Sequence, residues 1–367
     1  MLLTGDPAPH FHAESLDGNP RYAFDTAAGR PVLLLLLGSA GWKSSAGALA
    51  SLARHRAVFD DVAANVFGVS IDPEDVAQRR IAADLPGIRW FVDHDHAVSK
   101  LYGAMTVDAG GRSRYQPHWL VLDAQLRVVS AHPIADGDAA VASLRMLIDH
   151  PEDAPAAPVL IVPRIFEPAL CQRLIAYYET RGGADSGFMR EENGVTVAKI
   201  DHAHKRRSDC LVEDQQLLDA IRARLIRFLK PQIARAFQFD VTRVERWLIA
   251  CYDGDEEGGG GHFRAHRDNT TKGTAHRKFA CTINLNAEDY EGGDLRFPEF
   301  GGRTYRAPTG GAVVFSCSLL HEAGRVTRGK RYAFLPFFYD DEGAKLRERN
   351  LAFVSPDLAE YRAKASA

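Results

Sequence analysis

Cysteine is missing from the first 170 residues of this 367-residue chain, and all five cysteines (171, 210, 251, 281 and 317) lie beyond them. An odd number without CxxC spacing excludes a disulfide framework and a zinc knuckle, and points to a reduced, cytoplasmic setting. Long hydrophobic runs are missing as well. The most apolar stretch, PVLLLLLG (31–38), is too short to span a bilayer and suits a buried strand. The N-terminus MLLTGDPAPHF has no basic segment ahead of an apolar core, so no secretory signal is expected. Charge of one sign is also lacking. A net charge of −3 gives no reason to expect nucleic acid or an anionic membrane as a partner. The local basic cluster HKRRSD (204–209) is expected to be solvated surface.

What is present is ordinary for a globular chain: 46% hydrophobic and 25% charged residues. The length suits two domains of roughly 100–200 residues each. A Pro/Ala/acidic stretch, HPEDAPAAPV (150–159), coincides with the change in cysteine usage. It divides the chain into 1–150, a linker 151–158, and a second domain 159–345 followed by a charged tail 346–367.

Before the linker, short apolar strands alternate with helical patterns. PVLLLLL precedes the helical SSAGALASLARHRAVF, then come ANVFGVSID (64–72), a helical EDVAQRRIAADL and IRWFVD (88–93). HWLVLDAQLRVVSAH (118–132) reads as a hairpin and DAAVASLRMLIDH (138–150) as a closing helix. Such alternation predicts an α/β domain with parallel strands. His94 and His96 in VDHDHAV have metal-ligand spacing on a strand, but no third ligand is near, so a surface turn is expected. DHAHK (201–205) is read the same way.

After the linker, VLIVPRIF (159–166) reads as a strand and EPALCQRLIAYYETRGG as a helix ended by glycine. LLDAIRARLIRFLK carries an amphipathic stripe at 217, 218, 221, 225, 228 and 229, and Pro231 begins a further helical piece. From 241 onward come VERWLIACY, FACTINLN, GGDLRFP, GGAVVFS and RYAFLPFFY, punctuated by glycine. Short strands with turn signals predict a double-sheet β fold of the jelly-roll or cupin type, with helices in front.

One triplet in that domain carries chemistry. A chain with 14 histidines shows about one His-x-Asp by chance, so His266-Arg267-Asp268 alone means little. Two residues apart on a strand share a face, which lets His266 and Asp268 reach one ion. His321, just after the apolar strand GAVVF, supplies the third ligand. Two histidines and a carboxylate on one face of an octahedron leave three positions open on Fe(II). Ten residues further, Arg331 stands amid apolar strand residues, where a guanidinium needs an anion. The second carboxylate of 2-oxoglutarate would pair with it. His262 is not expected to share the ion. His276 and Arg277 are expected behind the ligands or on the surface, and Cys281 and Cys317 in the packed core.

These segments carry two resemblances. GDPAPHF and VFGVSIDPED, in their strand order, resemble the peroxiredoxin branch of the thioredoxin fold over roughly residues 3–150. That family's peroxidatic cysteine would fall in GSAGWKSSAGALASL (38–52), where serine and alanine stand instead, so thiol peroxidase activity is not expected. CYDG (251–254), HRD (266–268), RKFACTINLN (277–286), YEGGDLRFPEF (290–300) and the run 307–337 resemble prolyl 4-hydroxylase-type Fe(II)/2-oxoglutarate dioxygenases. The catalytic core would span about 243–340.

The resemblance implies that His266, Asp268 and His321 hold Fe(II), that Arg331 binds the distal carboxylate of 2-oxoglutarate, and that Tyr252 hydrogen-bonds the same cosubstrate. No further catalytic residue is implied. It also implies O2 as cosubstrate, ascorbate as a candidate reductant, and hydroxylation of an unactivated C–H bond with release of succinate and CO2. The expected substrate is a prolyl or other residue in a protein or peptide, or an amino-acid-like molecule; a homodimer is a candidate assembly. The alternative is a non-catalytic iron/2-oxoglutarate sensor or adaptor acting through its redoxin-like domain. Two departures stand out. The glycine run 258–261 lengthens the loop before His266, and Asn284 replaces a second cosubstrate-binding tyrosine.

Overall fold

The computed structural model describes residues 2–108, 110–150, 155–254 and 259–358. Residues 151–154 of the expected linker, Gly258 of the glycine run and the end of the tail (359–367) lie outside them. The chain forms two compact units, residues 1–156 with 298–301, and residues 157–297 with 302–367.

The first unit is built on a seven-stranded mixed sheet. Strand Val32–Gly38 lies parallel to Asn65–Ser70, which lies parallel to Ile88–Val92. The hairpin His118–Leu122 and Val128–Pro133 adds two antiparallel strands on the other side. The five consecutive leucines are all buried, as a strand covered on both faces requires. Leu33, Leu35 and Leu37 point into a cluster with Leu52, Trp119 and Leu144, so helices Lys43–Arg54 and Gly137–Asp149 cover that face. The other face is aromatic: Phe67 stacks on Phe91, and Phe24 and Phe11 close around them. This is a thioredoxin-like, peroxiredoxin-like α/β fold.

The helix expected over EDVAQRRIAADL is cut to Pro73–Ala77. Its Asp75 is drawn into the core to accept from the Ala40 amide and the Ser70 hydroxyl. The chain then turns at Arg79, with φ +53°, so that Arg80 reaches back toward the same carboxylate. Tertiary bonds here override local helix preference. His94 is exposed and His96 half-buried in a turn, as expected.

The second unit is a double-stranded β-helix with helices in front. Its larger sheet runs, in spatial order, Leu160–Val162, Ala312–Ser316, Phe279–Asn284, Lys330–Phe334, Leu248–Asp253, Ser208–Leu211 and Ala184–Asp185. Its smaller sheet runs Lys205–Arg206, His262–His266, His321–Ala323, Leu295–Arg296 and Thr304–Tyr305. Alternation assigns the faces. Ile249 and Cys251 join the core beneath the helices, while Leu248, Ala250 and Tyr252 point to the opposite side.

Helix Gln215–Arg224 continues through a π-helical turn, Leu225–Leu229, into Lys230–Phe237, with Pro231 in its first turn. Leu217, Ile221, Leu225 and Leu229 are buried, but Phe228 of the expected stripe is 42% exposed. A π turn adds a residue to the repeat and so shifts which positions face the core. Helix Asp341–Asn350 leads into a segment that folds back: Val354 is buried and the Ser355 amide donates to the Thr196 carbonyl.

Candidate metal centre

Two strands of the smaller sheet set the centre. His266 ends its strand and His321 begins the next, and the two are direct partners across the antiparallel pair. A bulge between Phe263 and His266 re-aims the end of the first strand. Asp268 is not on that strand, contrary to the same-face expectation. It sits in the following turn, where its amide donates to the Cys317 carbonyl at 3.0 Å.

The turn delivers the carboxylate nonetheless. Asp268 Oδ1 lies 3.5 Å from His266 Nε2, and Oδ2 lies 3.3 Å from His321 Nε2. One ligand atom from each residue falls within 4.8 Å of the others. His266 Nδ1 contacts the Arg264 carbonyl at 2.7 Å and His321 Nδ1 the Leu319 carbonyl at 3.1 Å. Carbonyls only accept, so both Nδ1 atoms carry the proton and both Nε2 lone pairs face Asp268. That is the tautomer a metal-binding imidazole needs.

Electrostatics agree. Burial alone would raise the Asp268 carboxyl, but the imidazoles of His321 and His266, with Arg277 behind them, outweigh it and hold it well below the usual carboxylate range. Burial, with His266 alongside, pushes His321 down to about 4. The group offers two imidazoles and one carboxylate: nitrogen and oxygen donors without a thiolate, a set suited to Fe(II).

Arg277 is buried, which corrects the surface alternative for it and for His276. Its guanidinium donates to Glu245 Oε1 at 2.6 Å, His276 meets Glu245 Oε2 at 2.6 Å, and Arg277 Nη1 reaches the Asp268 carbonyl at 3.3 Å. The trio props the ligand turn from behind. Glu245 has no local signature in the sequence because its partners lie some thirty residues away in the chain.

Arg331 is the second half of the site. It is 2% exposed, and its Nε and Nη1 have no hydrogen-bond partner. Its Cζ stands 4.9 Å from the centre of the Tyr252 ring. Gly293, at φ +69°, passes so close that a Cβ there would sit 3.2 Å from Arg331 Cδ. A buried guanidinium with idle donors lacks an anion. Tyr252, Arg331 and the three ligands line one pocket. Asn284 commits its amide to the Ala307 carbonyl at 2.6 Å. His262 contacts the Gly260 carbonyl instead of the ligand group. Cys281 and Cys317 are buried.

The cluster HKRRSD is not solvated surface. Lys205 and Arg207 are buried, and Arg207 donates to Tyr252 Oη at 3.3 Å and Asp209 at 2.7 Å. The strand pairing of Lys205–Arg206 with His262–Phe263 draws them inward. Of DHAHK only the exposed turn around His202 fits its reading, since His204 packs at a tilt against Phe188. A larger cavity of about 360 Å³, lined by Leu225, Ile226, Leu229, Ile233 and Trp247, is mostly apolar and holds none of the ligating group.

Comparison with known proteins matches the two units separately. The model of the 2OG-Fe(II) oxygenase superfamily matches residues 247–339, and that of the AhpC/TSA family matches residues 4–131. A PKHD-type hydroxylase from a Synechococcus strain is 34% identical over 92 residues, 23% of this chain and 39% of that protein. The chain thus spans well under half the length of that relative. A Trichoplax adhaerens prolyl hydroxylase structure covers 56% of this chain and 91% of its own, at 16% identity and TM-score 0.39. A Mycobacterium tuberculosis peroxidoxin structure covers 40% and 99%, at 20% identity and TM-score 0.32. No helix among the described residues is long and apolar enough to cross a membrane. The chain therefore joins a segment similar to the AhpC/TSA family to one similar to the 2OG-Fe(II) oxygenase superfamily, and His266, Asp268 and His321 lie in the second.

Proposed function

We propose that the chain is an Fe(II)- and 2-oxoglutarate-dependent dioxygenase that hydroxylates an unactivated C–H bond of a prolyl or other amino-acid unit. The observation that carries this is the convergence of His266, Asp268 and His321 within 4.8 Å in the pocket that also holds the idle donors of Arg331. Fe(II) bound there would supply, with 2-oxoglutarate and O2, the oxidative decarboxylation to succinate and CO2 that drives C–H hydroxylation.

The chain's own residues do the rest. His266, Asp268 and His321 would hold the ion, facing the pocket that they line. Arg331, with its unpartnered Nε and Nη1, would receive the distal carboxylate of the cosubstrate, and Tyr252 would supply a further hydrogen-bonding group. Leu295, Phe315, Ala323 and Leu335 keep water from the walls. The hydroxylase names of the curated relatives support the reaction class.

The test is anaerobic titration of 2-oxoglutarate into the Fe(II)-loaded full chain, following the visible metal-to-ligand charge-transfer band. Wild type should develop the band, His266→Ala should lose it, and Arg331→Ala should need far more ligand. Absence of the band with iron bound would overturn the proposal and favour a non-catalytic role.

A further inference from the structure

We infer that the substrate presents a carboxylate to Arg207 and Arg246, a pair of guanidinium groups in the wall of the same pocket. This rests on the dioxygenase reading above and adds the chemical class of its substrate. Both arginines line the pocket together with the ligand triad and Arg331. Arg207 is 6% exposed; one of its Nη atoms is given to Asp209 and the other to Tyr252 Oη, while its Nε has no partner. Arg246 stands in the break between strands Arg243–Glu245 and Leu248–Asp253, with φ +69°. A left-handed backbone at a residue other than glycine is strained, and such strain persists where it aims a functional side chain. Its guanidinium lies 3.1 Å from Asp209 and 5.7 Å from the centre of the Phe337 ring.

Counting charge decides what is missing. A divalent ion, Asp268, Arg331 and a 2-oxoglutarate dianion cancel one another. Behind them, Arg207 and Arg246 share a single carboxylate, Asp209 Oδ2. One positive charge is left over at the wall. Lys205 does not change this count on the pocket side, because its ammonium is turned onto Ser186 Oγ at 2.7 Å and the Gly187 carbonyl at 2.6 Å. Burial, with Arg207 beside it, also pushes that lysine well below its usual range. A buried cation without its counter-charge is costly, and one monoanion removes the surplus. A guanidinium matches the planar, two-oxygen face of a carboxylate. The neighbouring walls are the aromatic side chains of Tyr252, Phe263 and Phe337.

The carboxylate could belong to a free amino acid, a peptide C-terminus or an acidic side chain, and matched probes separate these. The full chain, loaded with Mn(II) and 2-oxoglutarate, is titrated by calorimetry with N-acetyl derivatives of proline, lysine, asparagine and leucine. Each is tried as the free acid and as the amide, beside the unacetylated amino acids and end-blocked hexapeptides with a central glutamate or glutamine. In at least one matched pair the carboxylate form should bind tenfold or more tighter. Arg246→Gln and Arg207→Gln should erase that preference, and Asp209→Asn, which removes the internal anion, should strengthen it. Equal binding of acids and amides, binding of no probe, or loss of 2-oxoglutarate affinity in place of the acid preference would each overturn the inference. The underlying dioxygenase reading fails separately, if 2-oxoglutarate gives no charge-transfer band with Fe(II)-loaded wild type whatever the probes do.

Discussion

Asp75 in the first unit and Arg331 in the second are both hidden from solvent, yet their surroundings are opposite. Asp75 accepts from the Ala40 amide and the Ser70 hydroxyl at 2.7 Å each, with Ser39 Oγ and Arg80 Nη1 at 3.4 and 3.3 Å. Arg331 leaves two donors idle. A satisfied buried charge is part of the scaffold; an unsatisfied one marks where a ligand belongs. The same division runs through the chain. The redoxin-like unit keeps its sheet and has no cysteine to react, whereas the β-helix unit gathers His266, Asp268 and His321 within 4.8 Å.

Substitutions can break or sharpen this comparison. The largest effect is expected from Arg331→Met, an apolar replacement of similar length. It should weaken 2-oxoglutarate binding roughly 100-fold, about 3 kcal/mol, in the charge-transfer titration. Urea unfolding of the metal-free protein should show unchanged or slightly higher stability, because an unpaired buried charge is removed. A large loss of stability instead would mean that Arg331 is scaffold like Asp75.

Next comes Glu245→Gln, which leaves His276 and Arg277 without their anion and should destabilise the second unit by about 3 kcal/mol. Burial would raise the Glu245 carboxyl, but Arg277 and His276 outweigh it and hold it well below its ordinary value. Its contribution is therefore complete above the unfolded-state value of about 4.3 and fades as pH falls toward the lower folded value. Unfolding between neutral pH and pH 3 should show a shallower acid limb in the variant than in wild type.

A smaller change, about 1–2 kcal/mol, is expected for Asp75→Asn, with 2-oxoglutarate affinity untouched. The smallest belongs to Ile226→Ser at the rim of the larger cavity, where the residue is 58% exposed. Stability should move by no more than about 0.5 kcal/mol and cosubstrate binding not at all. A clear effect on binding would shift attention to that cavity.

Much of this is legible in the sequence because it rests on local pattern. Five leucines in a row announce a buried strand, and the apolar run from 248 to 252 announces another. His266, Asp268, His321 and Arg331 stand out because their chemistry is rare on apolar strands. The features that sequence alone does not reveal depend on partners distant in the chain. HKRRSD looks solvated until strand pairing carries Lys205 and Arg207 inward beside Tyr252. Glu245 is one acid among many until His276 and Arg277 close on it. Helix Pro73–Ala77 is short because Asp75 bonds across the sheet, and no local propensity contains that. Asp268 does converge with His266 and His321, but a turn presents it and not the expected strand.

The bulge between Phe263 and His266 divides their strand into two separately anchored lengths. Everything downstream of it is registered by the pairing of His266 with His321 and by the anchored turn at Asp268. Upstream of it, His262 and Phe263 pair with Arg206 and Lys205, and Gly261 bonds to Asp253 and Val326. One strand thus answers to two sets of neighbours, and a substitution that loosens its first half is expected to leave the second half in register.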